Sequence, residues 1–285
     1  MPPSPREGEL LGLASHGFYR CRYYEWGDAA NPEVVICVHG LTRNGRDFDD
    51  LARALAPHRR VLCIDMPGRG KSEWLPQALD YRFETYLALL TALIARSAAA
   101  RVDWVGTSMG AMLGMMLAAQ ANTPLRRLVV NDAGPVLQKE ALARIGGYLG
   151  LNPEFADFAA LERHIREVSA PFGALSDAQW RRLAETTARP LPDGRYALAY
   201  DPGIAAAFRV AAAQDIDLWH LWEAIKPPVL LLRGAESDLL KRDTALAMTQ
   251  RGPGAQLLEF EGVGHAPMLL DATQIDPVVD FLLRA

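Results

Sequence analysis

The sequence predicts an α/β fold, a mostly parallel sheet covered by helices on both faces. Short β-branched apolar runs alternate with segments of helical period, which is the pattern of strands joined by crossover helices. At 285 residues the chain has the length of one large domain, or of a core with a smaller insertion. One long interval, from about 135 to 226, breaks the alternation and reads as an insertion rather than a second domain on a linker.

Taken in order, Phe18 to Trp26 alternates and ends at Gly27-Asp28, reading as antiparallel edge strands. Val34 to Val38 is an apolar strand of a buried sheet and runs into His39-Gly40. A helix follows from about Asp47, where Phe48, Leu51, Ala52 and Leu55 recur at helical spacing. Val61 to Ile64 is the next strand, closed by the turn D-M-P-G-R-G-K-S, and Phe83, Leu87, Leu90 and Ile94 stripe a long helix. Val102 to Val105 is a strand, and Met109 to Ala119 reads as a helix buried nearly all round. Leu128 to Asn131, Val229 to Leu232 and Leu257 to Phe260 supply three more strands, and Ile275, Val278, Val279 and Leu282 mark a last helix. The expected division is a core of residues 1–134 and 227–285 with a helical cap at 135–226. Within the cap no strand is convincing, and helix starts are expected at Asn152-Pro153, at the capping box Ser176-x-x-Gln179 and at Asp201-Pro202.

Composition narrows the function. Apolar residues make up 50% and charged residues 22%, ordinary for a globular protein. A net charge of −4 offers no positive field for a nucleic-acid backbone. No apolar run approaches the roughly 20 residues of a membrane span, and the polar, Pro-rich start lacks the apolar stretch of a secretion signal. Cys21, Cys37 and Cys63 show no metal or redox spacing and read as buried reduced thiols. A cytoplasmic protein is expected. No metal or cofactor is expected, since neither H-E-x-x-H nor a phosphate-cradling Gly loop occurs.

The chemistry is concentrated in G-T-S-M-G, residues 106–110, which stands between a strand and a helix. Such a turn pushes the hydroxyl of Ser108 out at the carboxyl end of the sheet, with Gly106 and Gly110 letting strand and helix pass closely. A serine needs a base, and His265 in G-V-G-H-A-P lies at the same end of the sheet. The base needs an orienting acid. Asp238, in R-G-A-E-S-D after the strand P-V-L-L-L, is preferred over Asp132 in V-V-N-D-A-G, which is read as fastening the start of the cap. The oxyanion donors are expected to be the amides of Met109 and Leu41, with His39 holding the loop H-G-L.

These residues resemble the α/β-hydrolase superfamily along nearly the whole chain, at H-G-L, D-M-P-G-R-G-K-S, G-T-S-M-G, G-A-E-S-D and G-V-G-H-A-P. The resemblance implies an α/β-hydrolase fold with a mostly parallel eight-stranded sheet, a Ser–His–Asp triad and a cap over its carboxyl edge. Serine at position 108 argues against the epoxide hydrolase and haloalkane dehalogenase branches, which use aspartate there. Ala111 stands where relatives often carry a second glycine. The expected activity is hydrolysis of small to medium carboxylic esters, with lactones and hydroxyacid oligomers within the expected range, through an acyl-enzyme. The alternatives are a carbon–carbon bond hydrolase with the same triad and a non-catalytic small-molecule receptor. Arg43 and Trp180 are the candidates for substrate contact. Arg43 could anchor an acidic end of the substrate, or pair locally with Asp47 or Asp49. Most cap aromatics are expected to form the cap's own core.

Overall fold

The computed structural model describes residues 4–211 and 215–284. Its main sheet has eight strands: β1 (Arg6–Ala14), β2 (Gly17–Trp26), β3 (Val34–Val38), β4 (Arg60–Ile64), β5 (Val102–Thr107), β6 (Leu125–Asn131), β7 (Val229–Gly234) and β8 (Gln256–Phe260). Their spatial order is β1-β2-β4-β3-β5-β6-β7-β8. The first two strands are antiparallel and the rest run parallel. The crossovers α1 (Asp49–Leu55), α2 (Phe83–Ser97) and α3 (Met109–Ala118) join the first four parallel strands, β3 to β6.

Successive residues of a strand point to opposite faces, so a strand buried on both faces must be apolar at every position. In β3, Val34, Ile36 and Val38 enter one core with Leu89 of α2 and Leu113 of α3. Val35 and Cys37 enter the other, with Leu51 of α1 and Val278 of the last helix. The three cysteines are buried and unbridged. Burial pushes the Cys21 thiol up to about 12.

The strand β1 precedes the expected edge pair and its sequence conceals it. Gly8 and Gly12 interrupt the alternation because Tyr23 and Tyr19 of β2 lie flat across them. A Cβ at either glycine would meet a tyrosine ring carbon at 2.1 and 2.2 Å.

Between β6 and β7 the chain contributes nothing to the main sheet. This segment carries α4 (Lys139–Tyr148), α5 (Phe158–Val168), α6 (Asp177–Thr187), α7 (Ile204–Ala211) and α8 (Trp219–Ala224). After β7 come α9 (Arg242–Gln250) and α10 (Ala272–Leu283). The expectation that the segment has no strands is corrected. Glu154–Phe155, Ala188–Pro190 and Tyr196–Leu198 form a small antiparallel sheet, and Val136–Leu137 pairs with Ile216–Asp217. Strands of two or three residues are too short to display a period of two. The capping box at Ser176 and Gln179 is present. The start expected at Asn152-Pro153 falls instead at Asp157, whose carboxylate accepts from Ala160 N at 2.7 Å. Among the described residues no helix is long and apolar enough to cross a membrane.

Candidate active site

The nucleophile's position follows from sterics. Strand β5 must reverse into α3 where α3 also packs on β3. A Cβ on Gly106 would lie 2.2 Å from the Gly110 carbonyl oxygen, and one on Gly110 would lie 1.9 Å from the Val38 carbonyl oxygen. With both flanks tied down, Ser108 takes φ 53° and ψ −114°, a conformation L-residues seldom adopt. Its amide donates to Asn131 O at 2.9 Å, which ties the turn to β6.

His265 follows β8 in a loop that returns to this turn. Its Nε2 lies 2.9 Å from Ser108 Oγ, and its Nδ1 lies 2.6 Å from Asp132 Oδ2. With Asp132 ionised, the network assigns the proton to Nδ1, leaving Nε2 free to accept from the serine. Asp132 is fully buried at the end of β6. Its Oδ1 accepts from Gly234 N at 3.1 Å and its Oδ2 from the Ser237 hydroxyl at 2.6 Å. Three groups, Gly234 N, the Ser237 hydroxyl and His265 Nδ1, thus converge on one buried carboxylate and fix its orientation.

The preference for Asp238 as the acid is therefore corrected. The Asp238 carboxylate is 48% exposed and pairs with Arg144 of α4 at 2.7 Å, away from the histidine. The motif G-A-E-S-D does serve the site, but through the Gly234 amide and the Ser237 hydroxyl. Neither was singled out in the sequence. Asp132 was visible there as the residue ending V-V-N-D, and its φ of 53° turns its side chain out of the strand's path.

The loop after β3 lies against the nucleophile: a Cβ on Gly40 would stand 3.6 Å from Ser108 Cβ. The Gly40 carbonyl accepts from His39 Nδ1 at 2.6 Å and from Arg43 N at 3.2 Å. In a trans peptide the C=O and N–H point in opposite directions, so holding the Gly40 carbonyl fixes where the Leu41 N–H aims. His39 Nε2 in turn accepts from Met66 N at 3.0 Å. His39 is thus the strut the sequence implied, and complete burial pushes its pKa down to about 3. The turn after β4 is held by Asp65, which accepts from Gly45 N at 2.7 Å, Lys71 N at 2.8 Å and the Tyr24 hydroxyl at 3.1 Å.

A cavity of about 1260 Å³ opens above Ser108, walled by the core loops and the segment between β6 and β7. Of the aromatics in that segment, Tyr148, Phe172, Tyr200 and Phe208 line it. Trp180 does not: it packs with Leu161, Leu183 and Met268 in the segment's own cluster, which corrects its assignment to substrate contact. Arg43 faces the cavity, but its fork is taken by Asp47 through bonds of 2.9 and 2.6 Å, and its Nη1 donates to Thr187 at 3.1 Å. The local pairing with Asp47 is the one that forms, so Arg43 fastens its loop to α6 and holds no free fork for a carboxylate.

Residues 33–272 match the model of the alpha/beta hydrolase fold family. The chain is 45% identical to the 3-hydroxybutyrate-oligomer hydrolase of Cupriavidus necator over the whole of both chains. It is 28% identical to the pimeloyl-[acyl-carrier protein] methyl ester esterase of Xanthomonas campestris, over 85% of this chain and 91% of that one. An alpha/beta hydrolase from Novosphingobium aromaticivorans superposes with a TM-score of 0.88 at 36% identity, covering 99% of each chain. The chain belongs to the alpha/beta hydrolase family. It is a hydrolase of ester bonds.

Two measurements follow. Asp132→Asn should lower turnover by about 10⁴-fold, because an amide cannot hold the imidazole in the required tautomer. Asp238→Asn should stay within a few-fold of wild type, since Asp238 pairs with Arg144 while the histidine bonds Asp132.

His39 makes stability depend on pH. Above pH 6.5 it is neutral in both folded and unfolded chains; below that the unfolded chain takes up a proton that the folded one refuses until about pH 3. Stability is therefore present above 6.5 and lost progressively as pH falls. In urea unfolding, the penalty of His39→Gln at pH 7 should shrink by about 2–3 kcal/mol at pH 4.5. Asp65, whose pKa burial raises to about 6, contributes with the opposite sign but is common to both chains and cancels. An equal penalty at the two pH values would show that His39 is charged in the folded protein.

Proposed function

We propose that the protein hydrolyses short hydroxyalkanoate oligomers by double displacement, with Ser108 as nucleophile, His265 as base and Asp132 as orienting acid. Ser108 Oγ attacks the acyl carbon while its proton passes to His265 Nε2. The amides of Leu41 and Met109 receive the carbonyl oxygen as it becomes an oxyanion. Asp132 steadies the imidazolium, which then protonates the leaving hydroxyl. Water enters, His265 takes its proton, and the acyl-enzyme is released as the free acid.

One observation carries this reading: the unbroken Ser108–His265–Asp132 relay at the floor of the cavity. The substrate class is supported by the full-length likeness to a hydrolase of 3-hydroxybutyrate oligomers, and by a cavity large enough for several four-carbon units. The segment 135–226 acts as the cap, and its residues Tyr148, Phe172 and Phe208 offer apolar walls to the repeat's methyl groups. The net charge of −4 and the three buried free thiols support a small-molecule substrate in a reducing cytoplasm.

The test follows product release from the dimer and trimer of 3-hydroxybutyrate, beside a simple aryl ester and a lactone. The oligomers should give the highest kcat/KM, Ser108→Ala should abolish turnover, and an organophosphonate should label Ser108 alone. Oligomers turned over no better than the aryl ester would remove the substrate assignment. Phosphonate labelling of Ser108→Ala would remove the nucleophile.

A further inference from the structure

Arg69, in the turn D-M-P-G-R-G-K-S, is completely buried. A buried charge is ordinarily balanced by an opposite one. Among the described residues no carboxylate oxygen lies within 4.0 Å of its guanidinium. Its partners are neutral. Nε donates to Leu41 O at 2.8 Å, and Nη1 donates to Pro67 O and to the Tyr86 hydroxyl, both at 2.7 Å. The guanidinium also rests on the rings of Tyr81 and Tyr86, at 5.6 and 5.2 Å from their centroids. Asp201 is reached only through Tyr81, whose hydroxyl donates to it at 2.5 Å.

The placement of this charge is specific. Leu41 and Met109 carry the two amides proposed above as oxyanion donors, and Arg69 touches both residues. It holds the Leu41 carbonyl, and its Nη2 lies 3.8 Å from Met109 Sδ. The peptide before Leu41 is pinned by His39 at the Gly40 carbonyl, and the peptide after it is pinned by Arg69. The donor residue is thus held at both ends. The guanidinium thus stands behind the loop, buried among neutral partners. An oxyanion forming on the other side of that loop would feel it, whereas the neutral ester would feel it little.

We propose that Arg69 is a positioning residue of the oxyanion hole, fixing the Leu41 donor through its carbonyl, packing on the Met109 side chain, and adding an uncompensated positive field that favours the tetrahedral intermediate over the bound ester. The proposal rests on the serine-hydrolase reading above.

The test compares wild type with Arg69→Gln and Arg69→Lys, using end-point titration with a phosphonate to count competent sites. Turnover and KM per titrated site are then measured, together with the affinity of a trifluoromethyl ketone, which forms a tetrahedral adduct on the serine. Arg69→Gln should lose about ten- to a hundredfold in kcat per site with KM within about threefold, and ketone affinity should weaken in parallel. Arg69→Lys keeps the charge but cannot hold Leu41 and Tyr86 together, so it should lose about three- to tenfold. If Arg69→Gln does not fold, Arg69→Lys decides. Normal turnover and ketone affinity per titrated site in the folded variant would overturn the proposal and leave Arg69 a purely structural group. Failure of wild type to take the phosphonate would instead remove the nucleophile itself.

Discussion

The backbone of α3 runs so close to β3 that only glycine fits at the contact. A Cβ on Gly110 would fall 1.9 Å from the Val38 carbonyl oxygen, well inside any tolerable separation. From this approach the rest follows. The short turn between β5 and α3 has no room to relax, so Ser108 is held at φ 53° with its hydroxyl clear of both elements. The same approach brings the loop after β3 against the serine, where a Cβ on Gly40 would stand 3.6 Å from Ser108 Cβ. His39 and Arg69 then brace that loop from within, one through the Gly40 carbonyl and the other through the Leu41 carbonyl. The strain at Ser108 is borne by the two fully buried cores on either side of the sheet.

The charged residues around the site divide by burial. Asp132 is sealed from solvent and surrounded by three donors from two places in the chain, Gly234 and Ser237 at the end of β7 and His265 after β8. A carboxylate so placed is rigid and can orient an imidazole. Asp238, only one residue beyond Ser237, is half exposed and spans to Arg144 of α4. Adjacent residues thus serve opposite ends of the machine: Ser237 fixes the acid, and Asp238 ties the core to the segment above the cavity. Arg43 makes a similar tie, pairing with Asp47 of its own loop and donating directly to Thr187 at the end of α6.

Much of this was legible in the residues. The parallel strands are apolar at every position because both faces are buried, and that pattern survives without any structure. Ser108, His265, His39 and the Leu41 loop were readable because strand, glycine and turn occur in fixed sequence around them. The acid was not, because two aspartates end neighbouring strands and a linear sequence does not say which points at His265. The deciding facts, burial of Asp132 and the Ser237 hydroxyl beneath it, are three-dimensional. The strand β1 was hidden by Gly8 and Gly12, whose absent side chains make room for tyrosine rings on the partner strand. The short strands of the inserted segment were hidden by their length. Arg69 attracted no notice as one basic residue in a polar turn, since nothing in composition marks a charge as buried.

The central claim is that one geometry joins Asp132, His265, Ser108 and the amides of Leu41 and Met109. A crystal structure of the enzyme carrying a phosphonate on Ser108 tests it most directly. The phosphonyl oxygen should lie within about 3 Å of both amides, with His265 still on Asp132 and Asp238 still on Arg144. A phosphonyl oxygen turned away from Leu41, or an imidazole swung toward Asp238, would contradict it.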